Sequence, residues 1–121
     1  MNEIEKMYEK FGIEKEYECN ARFCYGELNA CPLWCKNCEN LISFYPPFTT
    51  EKQIELIKWL SDTDYYIHNL YKTIDTKEYC IENDFYNVQA NEFEEALASL
   101  INKLWHFLTE KEKQQVKGIL K

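Results

Sequence analysis

Five of the six cysteines fall between positions 19 and 38: Cys19 and Cys24 in "CNARFC", then Cys31, Cys35 and Cys38 in "CPLWCKNC". Four thiolates in a tetrahedron bind Zn2+ well, because zinc accepts soft sulfur and imposes no other geometry. Cys35 and Cys38 have the C-x2-C spacing that lets one tight turn chelate with both sulfurs. Cys31, Cys35 and Cys38 also stand at i, i+4 and i+7. If Pro32 opens a helix there, all three share a face. The expected ligands of a structural zinc are therefore Cys24, Cys31, Cys35 and Cys38, with Cys19 as the alternative fourth. Buried free thiols are the competing reading, since cysteine packs as a small hydrophobe. Disulfides are the third, and a reducing compartment disfavours them. Cys80 stands alone in an apolar stretch and reads as core.

The C-x3-C-x2-C spacing also resembles the cluster motif of radical S-adenosylmethionine enzymes, and Trp34 precedes Cys35 as an aromatic often does there. Those enzymes need strand–helix units repeated around a partial or full barrel, which a chain of 121 residues without that alternation cannot build. His68 and His106 lie far apart and have no neighbour that would form a catalytic dyad. No phosphate-cradling glycine loop, Ser/His/Asp arrangement or H-E-x-x-H occurs. Carboxylates recur at Glu3, Glu5, Glu9, Glu14, Glu16 and Glu18, and again at Glu92, Glu94 and Glu95. They read either as solvated helix faces and N-termini or as an array that imitates phosphates on a basic groove.

The elements that would hold these residues follow from periodicity. Ile4, Met7, Tyr8 and Phe11 predict a helix over 2–11, stopped by Gly12 with Ile13 folding back. Residues 13–23 show no clear period. Pro46 and Pro47 close the cysteine segment with an extended joint. "TTEKQIELIKWL" predicts a helix with Thr50 as N-cap and Gln53 completing a capping box. Ile54, Ile57 and Leu60 are expected on its buried side, widened by Leu56 and Trp59. "YYIHNLY", "EYCIEN" and "FYNVQA" predict strands, with "KTIDTK" as the first turn. Whether 78–90 holds one bulged strand or two is left open. Asn91 and Glu94 predict the start of a long helix through Leu108, with Phe93, Ala96, Leu97, Leu100, Ile101, Leu104 and Leu108 facing the core. Thr109 and Glu112 predict a second capping box and a last helix, its inner face Val116, Ile119 and Leu120. The expected fold is α+β: a small antiparallel sheet of two or three strands packed with helices, plus an N-terminal cysteine-rich segment. It is expected to be one domain over 1–121, with the cysteine-rich segment at 13–47 inside it.

Net charge is −7, from 21 acids against 14 bases, and Arg22 is the single arginine. That argues against direct nucleic-acid binding, which displaces counterions with many cationic side chains. No run of apolar residues long enough to span a membrane exists. The N-terminus lacks the apolar core of a signal peptide. A cytoplasmic protein is expected.

"YPPFTTEKQIELIKWL" and "NVQANEFEEALASLINKLWHFLTEKEKQQVKGIL" together resemble a family of small uncharacterised proteins from phages and prophages of low-GC Gram-positive bacteria. The matching blocks run from Phe48 to Leu60 and from Phe93 to Ile119. The layout is also similar to the phage "ABA sandwich" domain. The resemblance supplies no catalytic residues. It implies a phage-encoded accessory protein in the bacterial host's cytoplasm, of the sort that inhibits host defence, anti-CRISPR proteins being one class. The expected function is a non-enzymatic inhibitor that lays an acidic surface on a host effector such as a CRISPR nuclease, whose nucleic-acid channels are basic. Trp34, Tyr45 and Trp59 would be its anchors if exposed. Two alternatives are a zinc-stapled nucleic-acid-binding regulator and a sponge for a nucleotide signal. The sequence leaves the oligomeric state open.

Overall fold

A computed structural model describes residues 2–19 and 41–121. The chain divides into two units, residues 1–13 with 47–121, and residues 14–46.

In the larger unit, α1 spans Glu3–Lys10, and Asn2 caps it by accepting from the Glu5 amide at 2.8 Å. Gly12 ends it at φ +68, where an L side chain would be strained. The Ile13 amide then reaches back to the Tyr8 carbonyl at 2.9 Å and the Gly12 amide to Glu9 at 3.1 Å, the two bonds of a Schellman stop. Ile13 itself is buried, so the stop is also an apolar clasp.

Helix α2 spans Thr50–Ser61, and its cap is Thr49 rather than the expected Thr50. An N-cap needs extended backbone. The first threonine after the prolines has it (φ −69, ψ 162), and its hydroxyl accepts from the Lys52 amide at 3.3 Å. Gln53 consequently closes no capping box and donates to the Phe48 carbonyl at 2.9 Å. The buried stripe is narrower than expected. Leu56 and Leu60 are buried, Ile57 and Trp59 are partly covered, and Ile54 is 46% exposed. The reason is tertiary: the last helix is the main helical neighbour of α2, and it covers one side of it.

Strands β3 (Asn69–Lys72), β4 (Tyr79–Glu82) and β5 (Asn87–Ala90) form an antiparallel sheet in the order β3-β4-β5. Two strands, not one bulged strand, therefore occupy 78–90. Asn83 breaks them apart, because its Oδ1 accepts from the Phe85 amide at 2.9 Å and the Tyr86 amide at 2.8 Å. Leu70, Ile81 and Val88 pair across the sheet on the face where Ile81 and Val88 are buried. Residues 65–68, expected as strand, lie outside the ladder apart from the His68 amide, which donates to the Glu82 carbonyl at 2.8 Å.

Helix α3 spans Phe93–Leu104 and packs against α1 and against β4 and β5. The expected core stripe is there: Ala96, Leu97, Leu100, Ile101 and Leu104 are fully buried. Its N-cap is Glu92, not Asn91, and no side chain caps it. The Glu95 carboxylate has a different task and accepts from the Glu3 amide of α1 at 3.1 Å. The helix also stops short of Leu108. Trp105–Phe107 wind as a 3-10 turn, and extended Leu108 delivers the chain to Thr109. Helix α4, Glu110–Leu120, starts with the expected capping box, Thr109 and Glu112 bonding to each other's backbone. It lies antiparallel to α2, since Lys52 Nζ reaches the Leu120 carbonyl at 3.0 Å and Trp59 Nε1 reaches Gln115 Oε1 at 2.9 Å.

In the smaller unit, β1 (Glu16–Cys19) pairs antiparallel with β2 (Leu41–Phe44), from Glu16↔Phe44 to Cys19↔Leu41. This ladder lies where the sequence shows no period. Four-residue strands carry too few positions for alternation to register, and their partners are distant in the chain. The architecture is α+β, with four helices and a three-stranded antiparallel sheet in the larger unit. Among the described residues, no helix is long and apolar enough to cross a membrane.

Candidate functional site

Three chain turns meet at one end of the larger unit: the exit from α2, the β4–β5 turn and the 3-10 turn after α3. Polar side chains fix the first two, and a backbone bond from the Leu108 amide to the Trp105 carbonyl closes the third. Thr63 bonds back to the Leu60 carbonyl at 2.8 Å and accepts from the Tyr65 amide at 3.1 Å, which turns the chain out of α2. Asn83, already folding the β4–β5 turn, donates to the Tyr65 carbonyl at 3.1 Å. The Tyr65 hydroxyl donates to the Phe107 carbonyl at 3.1 Å. The three turns are thus tied through Tyr65.

The tie gathers aromatic rings. Tyr65 and Phe85 lie 5.3 Å apart by centroid, Phe85 and Phe107 5.4 Å, and Phe107 and Tyr86 6.1 Å, all within the range of favourable ring contacts. Phe85 is 43% exposed and Phe107 49%. Contiguous exposed rings on a folded surface mark contact sites more often than single exposed apolar residues do. Carboxylates rim the cluster. Burial, followed by the charges of Glu112 and Asp64, raises the Tyr65 phenol above its ordinary value. Asp84, next to Phe85, holds His68 Nε2 at 2.6 Å.

A second constellation covers the sheet face opposite Ile81. Glu82 accepts from Asn69 at 3.1 Å, Tyr71 at 2.9 Å and Asn87 at 3.1 Å. The bond to Glu82, then contact with Cys80, holds the Tyr71 phenol up at about 12. The Glu82 carboxylate is engaged by its own neighbours, so the group reads as a brace across three strands. Cys80 lies beneath it as a buried free thiol, as expected for core.

The other sequence-derived candidates fare differently. Cys24, Cys31, Cys35 and Cys38 lie outside the described residues, as does Trp34. Cys19 ends β1, its backbone opposite Leu41. Among the described residues, no three His, Cys, Asp or Glu side chains converge as metal ligands. Tyr45 and Trp59, which would serve as anchors if exposed, are both partly covered. Lys15 lies over the Tyr45 ring at 5.1 Å, and Trp59 is tied to Gln115. His68 and His106 are exposed. Of the expected carboxylate array, Glu3 and Glu95 clamp α1 to α3, since the Asn102 side chain also donates to the Glu3 carbonyl at 2.8 Å and to Glu3 Oε2 at 2.9 Å.

Sequence reasoning passed over Tyr65, Phe85 and Phe107. A signal existed. It lay in Phe85, which sits in the polar break "NDFY", where a turn has no packing use for a large ring. Phe107, at i+7 from Leu100, is in phase with the helix stripe, and only the 3-10 turn over Trp105–Phe107 takes it off that face.

Compared with known protein families, with curated proteins and with solved structures, the chain has no match.

Proposed function

We propose that this protein acts by binding rather than by catalysis: it is a phage-encoded inhibitor that lays an acidic surface on a basic host defence protein, a CRISPR effector being the leading candidate. The observation that supports this reading most is the charge balance, a net −7 on a small body whose Asp62, Asp64, Asp84, Glu92 and Glu110 all face solvent. Acidic surfaces steer toward positive grooves and gain on-rate as they do so. Within the proposal, the cysteine segment is a structural staple in which Cys24, Cys31, Cys35 and Cys38, or Cys19 in place of one of them, hold a zinc ion. The β1–β2 ladder supports that part, because pairing Cys19 with Leu41 brings the two ends of the intervening chain together. Part of the loop-closure entropy is then met before any metal binds.

The test is co-purification with a purified CRISPR effector in the presence and absence of its guide. A complex that weakens steeply with salt and inhibits target cleavage is the expected result. Absence of any complex at low salt would exclude this class of target, and a gel shift of nucleic acid by the protein alone would favour the regulator instead.

A further inference from the structure

The exposed rings at the three-turn end carry more than generic acidity. Phe85 and Phe107 stand side by side, backed by Tyr65 and Tyr86, and the backbone ties through Tyr65 and Asn83 hold them in place. Presenting pre-ordered aromatic area costs little conformational entropy on binding. The cation–π contacts within the described chain fall on Tyr45, Tyr79, Tyr86 and Trp105, each already under a lysine. Among the described residues, Lys103 at 5.8 Å from the Tyr86 centroid is the lysine found against this cluster, and none lies over the Phe85 or Phe107 ring. Asp64, beside Tyr65 in the chain, and Glu112, which also accepts from the Thr109 amide at 3.0 Å, both act on the Tyr65 phenol through their charge. Asp84, beside Phe85, keeps an exposed carboxylate with one oxygen on His68 at 2.6 Å. An aromatic face among carboxylates matches one side-chain chemistry in particular. The guanidinium of arginine is planar, stacks on rings and bonds carboxylates through its edge, which a lysine ammonium cannot do as well.

We propose that the Phe85–Phe107 face, rimmed by Asp64, Asp84 and Glu112, is a docking surface for an arginine-bearing segment of a partner protein. This rests on the reading of the protein as an acidic binder and names the part of its surface that makes the contact. The other conceivable occupant is a second copy of the chain, and the test separates the two.

The probe is a fluorescent peptide with arginines spaced by glycine and serine, alongside the same peptide with lysine at those positions. The arginine peptide is expected to bind more tightly and to shift the aromatic NMR signals of Phe85, Phe107 and Tyr65. Phe85→Ser and Phe107→Ser should each weaken it by about tenfold. A double variant that leaves the rings untouched, Asp64→Asn with Glu112→Gln, in which the new amide oxygen can still accept from the Thr109 amide, should weaken it and flatten its salt dependence. Glu51→Gln with Glu55→Gln makes the same change in net charge at the opposite end of α2 and should leave binding unchanged. If that control weakens binding as much as the rim variant, or if lysine serves as well as arginine, the docking surface is wrong while the acidic-binder reading stands. Failure of the arginine peptide to bind at low salt also overturns it. So does a concentration-dependent dimer in sedimentation that Phe107→Ser abolishes, since a second copy would then cover the face. Conversely, a CRISPR effector that fails to co-purify while the arginine peptide binds at Phe85 and Phe107 removes the target and keeps the surface.

Discussion

Asn102 shows how one polar side chain can fix the placement of a helix. It is 5% exposed on α3 and its amide nitrogen donates twice to Glu3 of α1, while Lys10, also on α1, reaches the Asn102 carbonyl at 3.2 Å. Asn102→Ala leaves those Glu3 acceptors unpaired in a part-buried seam and should cost about 1–3 kcal/mol in urea unfolding. The same contact sets an acid limit. Burial pulls the Glu3 carboxyl upward, but hydrogen bonds from Asn102 and Lys6, with the lysine charges, outweigh it and hold it below its ordinary value of 4.5. A group with a depressed folded value stabilises fully above the unfolded value and loses that contribution as pH falls through the folded one. Stability should therefore decline below about pH 4.5 with a Glu3 component that is absent in Glu3→Gln, readable as converging acid melting curves. Tyr8 sets the opposite limit. Burial pushes its phenol up to about 12. The unfolded chain then ionises first as pH rises past its ordinary value of 10.0, so stability falls above that point. The alkaline decline should be shallower in Tyr8→Phe, by circular-dichroism melts. None of these roles was legible beforehand. Asn102 lies off the leucine stripe, and Glu3 looked like one more solvated acid.

Among elements, Gly12 and Gly118 make an instructive contrast. Gly12 holds φ +68 behind α1, and a Cβ there would meet Lys117 Nζ at an ordinary 3.6 Å. The penalty for Gly12→Ala is thus backbone strain, about 1–2 kcal/mol. Gly118 lies inside α4, and an alanine methyl at that position would have nothing within 4 Å to strike. Gly118→Ala should stabilise by about 0.5–1 kcal/mol through helix propensity. Opposite shifts in urea midpoint check the pair. At this scale the sequence was a good guide wherever a signal is local. The Gly12 stop, the Thr109–Glu112 box and the α3 stripe depend on neighbours within one turn. It misled at Thr49, where two adjacent threonines could both cap and the backbone chose between them, and at Glu92, which takes the cap position of α3 without any side-chain bond. It was silent on β1 and β2, whose only evidence is each other.

For the whole molecule, division into residues 1–13 with 47–121 and residues 14–46 gives the proposed zinc a bounded effect. Chelation, or Cys35→Ser with Cys38→Ser, should release amide protection within residues 14–46 and leave α3 protected, measured by hydrogen exchange. Loss of protection in α3 would mean instead that the metal staples both units. By itself the sequence determined the helices, the presence of a small antiparallel sheet though not its third strand, the sign of the net charge and the concentration of thiols, because each is set by residue type and short-range spacing. Tertiary structure alone decided that Tyr65, Phe85 and Phe107 stand together, because they come from three turns far apart in the chain. It likewise decided that Asn102 faces Glu3 and that Ile54 is left in solvent, since burial depends on which helix arrives as a neighbour and no local pattern records that.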